Sequence, residues 1–194
     1  GVKILPEATL DDLKNDILEV ITNHHTAIAS SRDFHPEDTI IKTKHSMIGG
    51  KHFVFMAGPD AIESAAHVLE MGRAVKAAGA TVLRGGAFKP RTSPYSFQGN
   101  GEAGLKAHRA AADALEMDMV TEILDTKDVD LVAEYTDIFQ VGTRNMQNFA
   151  LLKALGQKRK PVVLKRGMSA TIDDLLNAAE YIVAGGNNQI ILME

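Results

Sequence analysis

The chain has 194 residues, 45% of them hydrophobic and 24% charged, with sixteen glycines, the make-up of an ordinary globular protein long enough for one substantial core. A formal net charge of −4 supplies no global cationic field, so neither nucleic acid nor an anionic membrane is an expected partner. The lack of cysteine excludes disulfides, thiolate metal sites and a cysteine nucleophile, and with no long apolar run and no signal-like N-terminus the expected setting is cytoplasmic.

The first element is TLDDLKNDILEVITNHH, where Thr9 is placed to cap the first turn and Leu10, Leu13, Ile17, Val20 and Ile21 form one apolar stripe, so an amphipathic helix is predicted. A polar stretch, ASSRDFHPEDT, follows. Two β-like runs, TIIKT and KHFVFMA, then flank Gly49-Gly50 and predict a short hairpin or connector. From Phe53 onward, apolar β-branched runs alternate with helical patterns, the signature of βα units and a parallel sheet. Strands are predicted at FVFMAG, TVLRGG, DMVTEIL, IFQVG, PVVLKRG and QIILME. Helices are predicted at ESAAHVLEMGRAVKAAG, EAGLKAHRAAADALE, TKDVDLVAEY, NMQNFALLKALG and TIDDLLNAAEYIVAGG. The division expected is residues 1–50 for the helix and connector hairpin, and residues 51–194 for an α/β domain of about six βα units. A closed eight-stranded barrel takes roughly 250 residues, so either the sheet is open or the rest of a barrel lies outside these residues.

In parallel α/β proteins chemistry gathers at the carboxyl ends of the strands. Here those ends read Gly58-Pro59-Asp60, Arg84-Gly85-Gly86 with Lys89-Pro90-Arg91-Thr92, Glu122, Gly142-Thr143-Arg144-Asn145, Lys165-Arg166-Gly167 and Glu194. Arg84, Lys89, Arg91, Arg144 and Lys165 would face one mouth, and such a group of like charges repels itself unless an anion sits between its members. Guanidinium forks grip phosphate and carboxylate, and lysine acts as a point charge, so a phosphorylated small molecule is the implied ligand. Pro90 fixes a φ angle and pre-aims its neighbours, while Thr92 offers a hydroxyl. Arg166 and Lys106 read as ordinary surface charges. Asp60 and Glu122 remain open between metal ligation and a role as cap or partner for a nearby arginine. The seven histidines show no ligand spacing, and His35 reads as structural.

The stretches LRGGAFKPRTSPYSFQG, VGTRNMQNF, VVLKRGMSATI and SRDFHPEDT resemble the barrel of the 3-deoxy-7-phosphoheptulonate synthase family, type I beta branch, from about Ser31 to Glu194. The resemblance implies a (β/α)8 TIM barrel, seen here as far as its sixth strand, and the condensation of phosphoenolpyruvate with erythrose 4-phosphate that opens the shikimate pathway. The sister enzymes that make the eight-carbon sugar acid differ at the KPRT loop, so that run argues for the four-carbon aldose phosphate. Carried over residue by residue, the resemblance makes Arg84, Lys89, Arg144 and Lys165 the phosphoenolpyruvate site, with Lys89 catalytic, and Pro90, Arg91 and Thr92 the erythrose 4-phosphate site. It also implies a divalent metal such as manganese or magnesium. The family's Gly-Pro-Cys turn reads Gly58-Pro59-Asp60 here, so Asp60 is the one metal ligand expected within this chain, and it would shift preference toward hard ions. A homo-oligomer is expected. The alternative is an inactive, truncated or engineered barrel derivative that binds phosphorylated ligands or forms an assembly.

Overall fold

A computed structural model describes residues 28–32 and 34–194, together with Asp12, Lys14 and Asn15. The predicted N-terminal helix lies outside the described residues except for those last three, which are helical. The polar connector is irregular and tied by its own side chains, with Arg32 donating to the Pro36 carbonyl at 2.7 Å and pairing with Asp38 at 2.7 Å.

A hairpin follows, but its strands are not the pair expected. β1 (Ile41–Lys42) pairs antiparallel with β2 (Met47–Ile48), in register Ile41↔Ile48. The Thr43 amide donates to the Ser46 carbonyl at 2.9 Å, closing the turn at Lys44-His45 rather than at Gly49-Gly50. A distant carboxylate fixes this turn: buried Asp118 accepts from the Thr43 hydroxyl at 2.6 Å and from the His45 amide at 3.2 Å. Gly49 and Gly50, at φ 106° and 58°, instead make a second bend that delivers the chain to the main sheet.

That sheet has six strands: β3 (Met56–Ala57), β4 (Val82–Arg84), β5 (Asp118–Glu122), β6 (Ile138–Val141), β7 (Val162–Lys165) and β8 (Ile190–Met193). They lie side by side in chain order and every neighbouring pair is parallel. The connections carry α1 (Ala65–Ala77), α2 (Gly101–Ala114), α3 (Val129–Tyr135), α4 (Phe149–Gly156) and α5 (Ile172–Ala184). All six strands and five helices of the βα region fall where periodicity predicts them. The helix expected over 145–156 is split: a 3-10 turn covers Thr143–Asn145, and α4 begins only after Asn148, whose side chain accepts from the Leu151 amide. Asparagine caps helices better than it sits inside them. Thr171 and Asp174 form a reciprocal capping box at the start of α5. Among the described residues no helix is long and apolar enough to cross a membrane.

The pleat sorts side chains into two layers. Leu83, Phe139, Val162 and Leu164 face the helices and join Leu105, Leu152 and Ile182 in the larger core. Val82, Val120, Ile138 and Val163 face the opposite, concave side, where Ile48 of the hairpin and Met56 pack against them. Side chains alternate with a period of two. The next concave-side positions along β4 to β7 are therefore Arg84, Glu122, Gln140 and Lys165, a polar layer directly beyond the apolar one at the carboxyl ends of the strands. The fold is thus a partial TIM-like barrel whose sheet is open at β3 and β8.

Candidate functional site

The polar layer floors a cavity of about 310 Å³. The loop after β4 supplies Lys89, Pro90, Arg91 and Thr92 to its wall, and that loop is tied down by its backbone: the Lys89 amide donates to the Gln98 carbonyl at 2.9 Å, and Gly101 to Ala87 at 3.0 Å. Asn100 reaches across and donates to the carbonyls of Ile62 and Glu63 at 2.9 and 3.1 Å, while the Ile62 amide donates to Gly86 at 3.0 Å. The loops after β3 and β4 are thereby held together. Their charges meet at close range as a result.

Every residue expected at the site lines this one cavity: Arg84 and Lys165 from the floor, Lys89, Pro90, Arg91 and Thr92 from the β4 loop, Arg144 from the 3-10 turn after β6, and Asp60 from the β3 loop. Lys89 points inward and its side chain is only 5% exposed. Its ammonium lies 2.8 Å from one oxygen of Asp60 and 3.9 Å from Glu122. Arg84 donates to that same Asp60 oxygen at 3.1 Å, and Arg91 stands 3.6 Å from the other. The hydrogen bond from Lys89, aided by Arg84, holds the Asp60 carboxyl below its ordinary range despite slight burial. Among the described residues, no carboxylate lies within ion-pair distance of Arg144 or Lys165. Arg144 and Lys165 thus stand without a close ion pair beside three cations that meet at Asp60.

Glu122 answers differently. It is buried, and burial pushes its carboxyl above the ordinary value, partly offset by the charges of Lys89, Arg84 and Lys165. It lies so close to Gly142 that a Cβ there would sit 2.1 Å from its Oε1, so any larger residue at that position would make the carboxylate shift. Glu122 thus faces the cations of the cavity, the second of the two roles left open by sequence. Gln140, 6% exposed, also lines the cavity and was not singled out from sequence. Its signal was its place two residues beyond Ile138 on the concave side, which becomes readable only once that side is known. Arg166 pairs instead with Glu194, and Lys106 with Glu102 at 3.3 Å, both outside the cavity lining. His35 contacts the Glu37 carbonyl in the connector.

The expectation that Asp60 ligates a divalent ion does not fit this arrangement. One oxygen is shared by two cations and the other faces a third, and among the described residues no group of three His, Asp or Glu side chains is arranged to hold a metal. A divalent ion would need oxygen lone pairs and a negative surround. Here one oxygen is already engaged and the surround is cationic.

Comparison with known proteins agrees with the geometry. Residues 38–194 match the model of the DAHP synthetase I family. The phospho-2-dehydro-3-deoxyheptonate aldolase of Thermotoga maritima is 52% identical over 164 residues, covering 84% of this chain and 48% of the relative. A 2-dehydro-3-deoxyphosphooctonate aldolase of Koribacter versatilis is 29% identical over 160 residues, 79% of this chain and 58% of the relative. The crystal structure of the Thermotoga maritima DAHP synthase superposes with a TM-score of 0.80 at 51% identity, covering 84% of this chain and 47% of the other. A truncated form of 3-deoxy-D-arabino-heptulosonate 7-phosphate synthase from the same organism gives 0.76 at 48% identity, covering 84% and 58%. The chain spans about half the length of the full-length heptonate relative. With a family model matching most of its residues and a strand-end cavity of cations to go with it, the chain belongs to the DAHP synthetase I family.

Proposed function

We propose that the cavity binds phosphoenolpyruvate beside erythrose 4-phosphate, and that the protein takes part in their condensation to 3-deoxy-7-phosphoheptulonate. One observation carries the reading: Arg84, Lys89, Arg91, Arg144 and Lys165, drawn from three βα units, line a single cavity. Phosphoenolpyruvate brings a phosphate and a carboxylate, and a site with five cations and only two carboxylates suits it. In this reading Arg84, Lys89, Arg144 and Lys165 hold phosphoenolpyruvate, while Pro90, Arg91 and Thr92 take the phosphate of the aldose.

Carbon–carbon bond formation runs from C3 of phosphoenolpyruvate to the aldehyde carbon. Positive charge develops at C2, water adds there, the C2–O bond to phosphate breaks, and inorganic phosphate leaves. The aldehyde oxygen becomes an alkoxide and takes up a proton. Lys89, nearly buried with its ammonium directed into the cavity, places a fixed positive charge and a proton-bearing nitrogen where such negative charge gathers. The cations preorganise both anions, so the reaction starts from an aligned pair. No step is assigned to a metal through Asp60, given its three cationic contacts.

A second reading, binding with little turnover, is favoured by the open edges of the sheet at β3 and β8. A cytoplasmic setting and self-association belong to both. Phosphoenolpyruvate is expected to raise the thermal unfolding midpoint, and Arg144→Ala to remove most of that rise. An equal rise in the variant would take Arg144 out of the site. Following phosphoenolpyruvate consumption with both substrates present then separates the two readings: substantial turnover by these 194 residues selects the first, and binding alone selects the second.

A further inference from the structure

We propose that Asp60 is a built-in counter-anion: its carboxylate stands at the junction of the two substrate sites, against Arg84 and Lys89 of one and Arg91 of the other, and a phosphorylated ligand binds these cations by displacing it. The inference rests on the reading of the cavity as a phosphate site and adds to it a gate. Lys89 is almost wholly buried in the wall, whereas the Asp60 side chain is 61% exposed, so the aspartate is the partner free to swing out. Its two oxygens meet three cations, at 2.8, 3.1 and 3.6 Å, much as two oxygens of a phosphate would. In a cavity of about 310 Å³ a dianion reaching those nitrogens would stand against the carboxylate, and like charges at that range repel strongly. Arg144 and Lys165, which have no such partner among the described residues, remain to attract the incoming ligand.

The placement also explains why three cations tolerate one another before a ligand arrives. Asp60 follows Gly58-Pro59 on a loop pinned at Ile62 to the loop that carries Lys89 and Arg91, so the charges are delivered as a set. The position that the resemblance makes a metal ligand is, in this chain, an internal substitute for the substrate's phosphate.

Calorimetric titration with inorganic phosphate tests this directly, using the wild type, Asp60→Asn, Asp60→Ala and, as a control for the loss of a nearby exposed charge, Glu63→Gln. Phosphate affinity is expected to rise about five- to tenfold in both Asp60 variants, the equivalent of a few partly exposed ion pairs, and by less than twofold in Glu63→Gln. In phosphate-free buffer the Asp60 variants should melt below the wild type, and phosphate should raise their midpoints by more than it raises that of the wild type. Unchanged or weaker phosphate binding in both variants, with binding that Lys89→Ala still abolishes, would overturn the gate and leave the phosphate site standing. Manganese binding to the wild type that disappears in Asp60→Asn, read by electron paramagnetic resonance, would also overturn it by making Asp60 a metal ligand. No phosphate binding in any variant would remove the site and the gate together.

Discussion

Lys89 reaches its position by a short chain of causes: Pro90 stiffens the turn that follows, the Lys89 amide is tied to Gln98, and the buried side chain ends at Asp60 in the cavity. Lys89→Ala should therefore abolish the thermal protection given by phosphoenolpyruvate while leaving the far-ultraviolet circular dichroism intact; protection that persists would exclude it from the ligand. Behind the same strand, His108 is wholly buried on α2, its Nε2–H donating to the Leu83 carbonyl at 2.8 Å and its Nδ1 without a partner among the described residues. Burial lowers its pKa to about 4, with the Leu83 bond opposing and the charges of Arg109 and Arg84 assisting. Since the unfolded chain takes up a proton near pH 6.5 and the folded one does not, this contribution is complete above that pH and declines as pH falls toward about 4. Denaturant titrations should show a loss of about 2–3 kcal/mol between pH 7 and 4.5, absent from His108→Gln; parallel pH profiles would refute the assignment. These two residues differ in legibility. Lys89 stood out as a cation at a strand end, whereas nothing in the sequence distinguishes His108 from a surface histidine, because its burial depends on packing against β4.

At the scale of elements, the six strands and five helices of the βα region could be read from periodicity because the central runs, β4 to β7, are buried on both sides and each helix repeats its stripe. The hairpin could not, since its strands are two residues long and its turn is fixed by Asp118, more than seventy residues away in the chain. Removing that anchor gives a direct check: Asp118→Ala leaves the Thr43 hydroxyl and the His45 amide without their acceptor, and should cost about 1–3 kcal/mol in chemical denaturation. A change within error would show that Ile48 packing alone seats the hairpin. The β6–α4 connection offers a second check. Gly142→Ala sets a methyl against the Glu122 carboxylate, which must shift to admit it, so phosphate affinity should change measurably in calorimetric titration; affinity equal to that of the wild type would show that Glu122 gives way without disturbing the cations. Gln140 belongs to this scale as well, for only the strand register reveals that it stands level with Glu122.

For the molecule as a whole, net charge misled in one respect and pattern succeeded in another. A chain of net charge −4 hides a cationic cavity because the five cations are dispersed in sequence and gathered by topology. The open sheet is the other global feature. Near its β3 end Phe53 and Phe55 stack edge-to-face at 5.0 Å and are 81% and 56% exposed, and on β8 Leu192 is 44% exposed. Exposed apolar side chains gathered in this way invite association, so light scattering is expected to give a mass above that of one chain; a clean monomer at micromolar concentration would contradict this.

The pinning of the β3 loop to the β4 loop also bears on how the protein folds. Asp60, Arg84, Lys89 and Arg91 all come from the first two βα units, so their cluster requires only contacts between neighbouring units and closes short stretches of chain, at a small entropic cost. Arg144 and Lys165 belong to later units and join a cluster whose positive charge Asp60 has already partly offset.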